Sequence, residues 1–137
     1  MQFLARREYS RTELHAKLLT YASPDDNVEA LLEDLIKRGW LSDERAAEQM
    51  LAARRCRFGL QRIAHEMRQK GLAEELISAA VPGLKEGELE AARTVWQKKF
   101  SQAPQDEKEK AKQVRFLQSR GFALDVIFKV LLRKEDD

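Results

Sequence analysis

Apolar residues recur every three to four positions along most of this 137-residue chain, and the runs are separated by short polar or glycine-bearing breaks. That period is the signature of helices with one buried face, not of strands, in which apolar and polar residues would alternate. Leu14, Leu18 and Tyr21 line a first helix, and Val28, Leu31, Leu32, Leu35 and Ile36 a second after Ser23-Pro24-Asp25-Asp26. A third runs from a Ser42 cap through Ala46, Met50 and Ala53 to about Arg55. Beyond the break at Phe58-Gly59, Leu60, Ile63, Ala64 and Met67 mark a fourth. Leu76, Ile77 and Ala80 predict a short fifth that stops at Val81-Pro82-Gly83, because proline lacks the N–H that a helix interior needs. Leu89, Ala92, Trp96 and Phe100 form the sixth, Ala111, Val114 and Leu117 the seventh, and Leu124, Ile127, Val130 and Leu131 an eighth that frays into Lys134–Asp137.

Three places share one local pattern: Leu35-Ile36-Lys37-Arg38-Gly39-Trp40, Met67-Arg68-Gln69-Lys70-Gly71-Leu72 and Leu117-Gln118-Ser119-Arg120-Gly121-Phe122. Each places a cation before a glycine, a large apolar residue after it and an acid four residues on. Such a pattern reads as helix, tight turn, helix. The recurrence predicts an all-α fold of tandem three-helix repeats in an elongated, curved array, with units at about 10–56, 58–100 and 106–134, the last incomplete. Trp40 and Trp96 both fall at the apolar phase and are expected in the core.

Composition supports helices: seventeen Ala and eighteen Leu stand against six Val, four Ile and three Thr. No stretch approaches the roughly 20 apolar residues of a membrane span and the N-terminus lacks an apolar signal core, so a cytoplasmic location is expected. The net charge of +2 hides an uneven distribution. Residues 35–70 carry nine basic and four acidic side chains, whereas residues 1–34 carry four and seven.

The candidate sites follow from that imbalance. Between Arg54 and Lys70 lie six cations, Arg54, Arg55, Arg57, Arg62, Arg68 and Lys70, against one acid, Glu66. Such a belt suits phosphates or an acidic protein surface. A weaker basic group, Lys108, Lys110, Lys112, Arg115 and Arg120, is diluted by Glu107 and Glu109, and Lys112, Arg115 and Arg120 are its candidate contacts. Asp25, Asp26, Glu29, Glu33 and Asp34 form an acidic stretch able to meet a basic protein, although the first three also suit a helix N-terminus.

Catalysis has little to stand on. His15 and His65 read as surface residues without metal-ligand spacing, and Cys56 has no histidine placed to serve as its base. No glycine-rich phosphate loop is present. The helices after Gly71 and Gly121 argue against a DNA-reading turn, since Glu74–Val81 offers no side chain for a base edge and Leu124–Leu132 only Lys129. No cofactor or metal is expected.

Four stretches, in order, resemble the RecX regulatory proteins of bacteria: Glu8-Tyr9-Ser10-Arg11-Thr12-Glu13-Leu14 with Lys17-Leu18; Gly39-Trp40-Leu41-Ser42-Asp43-Glu44-Arg45; Arg57-Phe58-Gly59 through Arg62-Ile63 to Lys70-Gly71; and Lys112 through Phe122. The resemblance implies a modulator that lies along the RecA filament on single-stranded DNA and restrains ATP hydrolysis, strand exchange and the SOS response. It also implies no catalytic residues. The expected partners are the RecA filament and single-stranded DNA, bound directly or through the filament, with the protein itself a monomer. The alternative is a general nucleic-acid-binding protein whose belt grips phosphates without a specific RecA contact.

Overall fold

The computed structural model describes residues 2–132, and among them there are eight helices and no strand. They are α1 (Gln2–Arg6), α2 (Arg11–Leu19), α3 (Val28–Lys37), α4 (Asp43–Arg54), α5 (Leu60–Gln69), α6 (Glu74–Lys99), α7 (Glu107–Ser119) and α8 (Leu124–Leu132). The expected fraying at Lys134–Asp137 and the end of the unit 106–134 lie outside the described residues. Apolar side chains gather in three clusters, not one. Tyr9, Leu14, Leu32, Leu35 and Leu41 form the first. Met50, Phe58, Ile63, Met67, Leu72 and Ile77 build the middle one, and Ala92, Trp96, Leu117, Phe122, Ile127 and Val130 the last. An accessible surface of 9079 Å² exceeds by about a quarter the roughly 7,300 Å² of a compact protein of this mass, as serial clusters require.

The clusters cut across the expected repeat limits. Helix α4, read as the end of the unit 10–56, gives Ala47 and Met50 to the middle cluster. The fifth and sixth expected helices are one: α6 runs through Pro82 for 26 residues. An interior proline costs about 3 kcal/mol, and Gly83 adds to that. The cost is offset because α6 serves two cores, with Ile77 in the middle cluster and Ala91, Ala92 and Trp96 in the last. Glu88, buried at mid-helix, braces it by accepting the Leu60 N–H at 2.8 Å, which caps α5 where Gly59 has no side chain to do so.

The assignments of five large apolar residues are corrected: Leu31, Ile36 and Leu124 lie on exposed faces of their helices, and Tyr21 and Trp40 are more exposed still. Tyr21 lies beyond the end of α2 and is 71% exposed, stacking on Phe3 at 5.8 Å. Trp40 is 52% exposed, with the Arg38 guanidinium 5.7 Å from its ring, and Leu41 takes the core position. The reason is what faces each turn. A side chain on Gly71 would strike Thr12, and one on Gly121 would strike Arg62, so the residues that follow, Leu72 and Phe122, are covered. A side chain on Gly39 would meet nothing, the turn being touched only at its carbonyl by the Arg45 guanidinium, and the indole stays uncovered. Trp96 is buried as expected, its Nε1–H donating to Gln113 Oε1 at 2.8 Å.

One polar joint ties the first cluster to the second. Ser10, fully buried, accepts the Glu13 N–H at 3.1 Å and donates to the Lys70 carbonyl at 2.7 Å. Glu13 accepts the Ser10 N–H at 2.9 Å, closing a capping box, and pairs with Lys70 Nζ at 2.7 Å. Burial pushes the Glu13 carboxyl up, but Lys70, the Ser10 N–H and Arg7 outweigh it and hold the group below its ordinary 4.5. A carboxyl lowered by folding stabilises the fold above its ordinary value, and that contribution fades as pH falls through the lowered one. Glu13→Gln is therefore expected to cost about 1–3 kcal/mol at neutral pH and nothing comparable in strong acid. Urea denaturation of both proteins across pH 2–7 checks it, and an equal difference at every pH contradicts the electrostatic account.

Candidate functional site

Where α4 ends, the chain turns through Arg57, Phe58 and Gly59 into α5, and this turn is packed directly onto the end of α7. The Gly59 N–H donates to the Arg120 carbonyl at 2.8 Å and the Gln61 N–H to the Gly121 carbonyl at 3.2 Å. The backbones approach closely enough that a Cβ on Gly59 would overlap the Gly121 carbonyl, and one on Gly121 would overlap Arg62. Gly121 also needs φ +92°, which side-chain-bearing residues avoid. Two glycines thus bring two arginine-bearing segments, sixty residues apart in sequence, into contact.

The result is a knot of cations on one ring. Phe58 is 6% exposed, and the guanidinium carbons of Arg62, Arg54, Arg120 and Arg57 lie 4.1, 5.1, 5.4 and 5.7 Å from its centroid. The ring's negative face offsets part of the repulsion among them. Glu66 offsets more, pairing with Arg54 at 3.3 Å and Arg62 at 3.4 Å, while Arg62 Nη1 donates to the Ser119 carbonyl at 3.3 Å. Arg57 and Arg120 face no carboxylate in the ion pairs of the described residues.

Beside this knot opens a groove of about 350 Å³ lined by Cys56, Arg57, Thr94, Val95, Lys98, Lys99, Phe116 and Arg120. Four cations and no acid surround it. Phe116 carries Lys99 and Arg120 at 5.4 and 5.1 Å and packs edge-on against Phe100 at 5.5 Å. Lys112 and Arg115, both exposed, continue the basic surface along α7, Lys112 one helical turn before Phe116. A basic groove with aromatic walls is suited to phosphates.

The expected belt does not hold together as one surface. Arg54, Arg57, Arg62 and Arg120 converge on Phe58, and exposed Arg55 sits on an adjoining rim with Gly83, Gly87 and Glu90. Arg68 points elsewhere, held by both oxygens of Glu74 at 3.0 and 3.2 Å. The hydrogen bond to Glu74 raises the Arg68 value, and its counterpart lowers that of Glu74. Lys70 belongs to the Glu13 joint. Lys98 and Lys99, missed in the sequence because a helix end accounts for paired lysines, enter the site only through the fold.

The acidic stretch is largely engaged within the first cluster. Glu29 pairs with Arg11 and with His15 Nε2 at 3.2 Å, Glu33 with Arg11 at 3.9 Å and Asp34 with Arg38 at 2.9 Å. Asp26 accepts the Ser23 N–H at 2.8 Å in a turn, beside exposed Asp25. His65 and Cys56 are exposed. Among the described residues, no three of His, Cys, Asp and Glu gather as metal ligands, and no helix is long and apolar enough to cross a membrane.

Comparison with known proteins places this geometry in context. Residues 42–81 match the second three-helix domain of RecX and residues 86–131 the third. A regulatory protein RecX from Chromobacterium violaceum is 43% identical over 136 residues, covering 99% of this chain and 88% of that protein. One from Leptothrix cholodnii is 43% identical, covering 96% and 83%. The crystal structure of RecX from Lactobacillus salivarius shares the fold at a TM-score of 0.78 and 18% identity, covering 99% of this chain and 92% of that one.

The glycine contact makes its own prediction. Gly59→Ala forces backbone against backbone and is expected to cost about 1–3 kcal/mol and to open the groove. Gly39→Ala, with clear space around it, is expected to cost about 1 kcal/mol from backbone conformation alone. Chemical denaturation of both variants ranks the two, and the reverse order contradicts the close-approach account.

Proposed function

The chain belongs to the RecX family of regulatory proteins, and on that premise we propose that it binds the RecA filament on single-stranded DNA and lowers its ATP hydrolysis, strand exchange and SOS activity. The observation that carries the proposal is the acid-free groove at Arg57, Lys98, Lys99 and Arg120. The groove takes DNA phosphate, while the extended array supplies length for lying along a polymer. Regulation is by binding, without chemistry of the chain's own. Lys112 and Arg115 extend the contact along α7, and Arg54 and Arg62 hold the knot from behind. Arg55 sits at its edge, and Arg68 and Lys70 act in the fold. Asp25 and Asp26, the acids least engaged with cations, are the acidic residues left to meet a protein partner.

The filament presents protein and phosphate in fixed relation, so two modest contacts reinforce each other there as they cannot on either component alone. Affinity is expected to rank filament above naked single-stranded DNA and above free RecA at one salt concentration. Arg57→Glu with Lys98→Glu and Lys99→Glu changes exposed positions, so the fold is kept. Filament affinity should fall at least about tenfold, with a shallower salt dependence. Fluorescence anisotropy with labelled DNA, with and without RecA, measures both, and an ATPase assay reads the consequence. If naked DNA binds as tightly as the filament, and ATP hydrolysis falls only in proportion to the DNA sequestered, the chain is a general nucleic-acid binder.

A further inference from the structure

Helix α8 carries a feature that binding phosphate does not use. Leu124, Phe128 and Leu132, spaced four apart, form one apolar ridge on its outer face and are 46%, 40% and 52% exposed. The opposite face, Ile127, Val130 and Leu131, is buried in the last cluster, so the ridge is surplus to the core. The internal repeat provides a control. Gly71 and Gly121 are equivalent turns fifty residues apart, which aligns Leu124, Phe128 and Leu132 with Glu74, Ser78 and Pro82 of α6. Those three positions are exposed as well, and none carries a large apolar side chain.

We propose that this ridge pairs with the same ridge of a second copy, antiparallel about a twofold axis at Phe128. Two features commit the occupant. The ridge reads the same in both directions, so that Leu124 meets Leu132 of the second copy and the two Phe128 rings meet at the centre. The flank is complementary in charge at two places, although the same axis also brings the two Lys129 side chains together and Lys110 stands 5.7 Å from the centroid of the Phe128 ring. Asp125 and Lys129 are exposed on one side of the ridge and make no ion pair with each other in the described residues, although their spacing permits one. In the antiparallel pair, Asp125 of each copy lies beside Lys129 of the other. An isologous contact requires that self-complementarity, whereas an unrelated partner does not.

Three side chains a side fall well below the roughly 1,200 Å² that stable complexes bury. The pairing is therefore weak, with a dissociation constant on the order of 0.1–1 mM, and the chain is monomeric when dilute. Concentrated along a polymer, paired copies carry two basic grooves and gain by acting together. The proposal does not depend on RecA being the partner of either groove.

Sedimentation equilibrium up to about 1 mM tests it, with circular dichroism to establish that each variant folds. The wild-type mass should rise toward the dimer. Asp125→Lys alone and Lys129→Asp alone should each weaken association by about tenfold, because each juxtaposes like charges. The double exchange, D125K with K129D, should restore it to within about threefold. Leu124→Glu with Phe128→Ser installs the residues that α6 already carries at the aligned positions and should abolish association with helicity kept. A mass that stays monomeric throughout, as for a ridge meant for another protein, overturns the proposal. So does a double exchange no better than the single changes, or association unaffected by the Leu124 and Phe128 replacements.

Discussion

Two backbones meeting without side chains between them set the arrangement of the second half of this protein. Gly59 at the start of α5 lies on Gly121 at the end of α7, close enough for main-chain hydrogen bonds across the joint. That contact fixes the distance between the middle and last clusters, brings the Ser119 carbonyl within reach of Arg62, and brings Arg120 to a ring belonging to a different helix pair. Four cations would not gather on Phe58 unaided. The glycine contact holds them there, and Glu66 and the ring make the concentration of charge tolerable. The joint at Ser10, Thr12 and Gly71 repeats the geometry one step earlier with different chemistry. There a buried hydroxyl and an ion pair replace the bare backbone approach, and the basic residue in the turn, Lys70, is consumed by Glu13 rather than offered to solvent. The same repeat position is thus closed by an ion pair in one place and left lining an open groove in the other.

What was legible in the sequence was local. The apolar period finds most of the helices, and the three glycine marks coincide with left-handed residues that end helices, at Gly39, Gly71 and Gly121. The membership of each core was less legible, because it depends on what stands across a turn. Trp40 and Leu41 are neighbouring apolar residues, and which one is buried depends on the packing around the Gly39 turn, where no element covers the indole while Leu41 joins the first cluster. Pro82 reads as a break by every local rule, yet burial of Ile77 on one side and Ala91, Ala92 and Trp96 on the other keeps the helix continuous.

The candidate site divides along the same line. Counting charges between Arg54 and Lys70 finds the region but cannot distinguish occupied cations from available ones. Arg68 is matched by Glu74 from the next helix, Lys70 by Glu13 from far upstream, and Glu29 by Arg11 and His15 from α2. Conversely, Lys98 and Lys99 look like ordinary complements to a helix dipole until the fold sets them opposite Arg57. Charge density is a property of sequence, but free charge is a property of structure.

The continuity of α6 bears on how the molecule comes apart. In an array whose units meet only at interfaces, unfolding can halt at a boundary and leave intact neighbours, since each interface is a separate free-energy term. Here the boundary between the middle and last clusters runs through the interior of a helix, and melting either end of α6 strips residues from the core next to it. With Glu88 capping α5 from the middle of the same helix, the partly unfolded states that an open array would populate are suppressed. The shared helix therefore favours unfolding of these two clusters as one block, while the first, joined to them through the Ser10 and Glu13 contacts and not through a common helix interior, is expected to open before them.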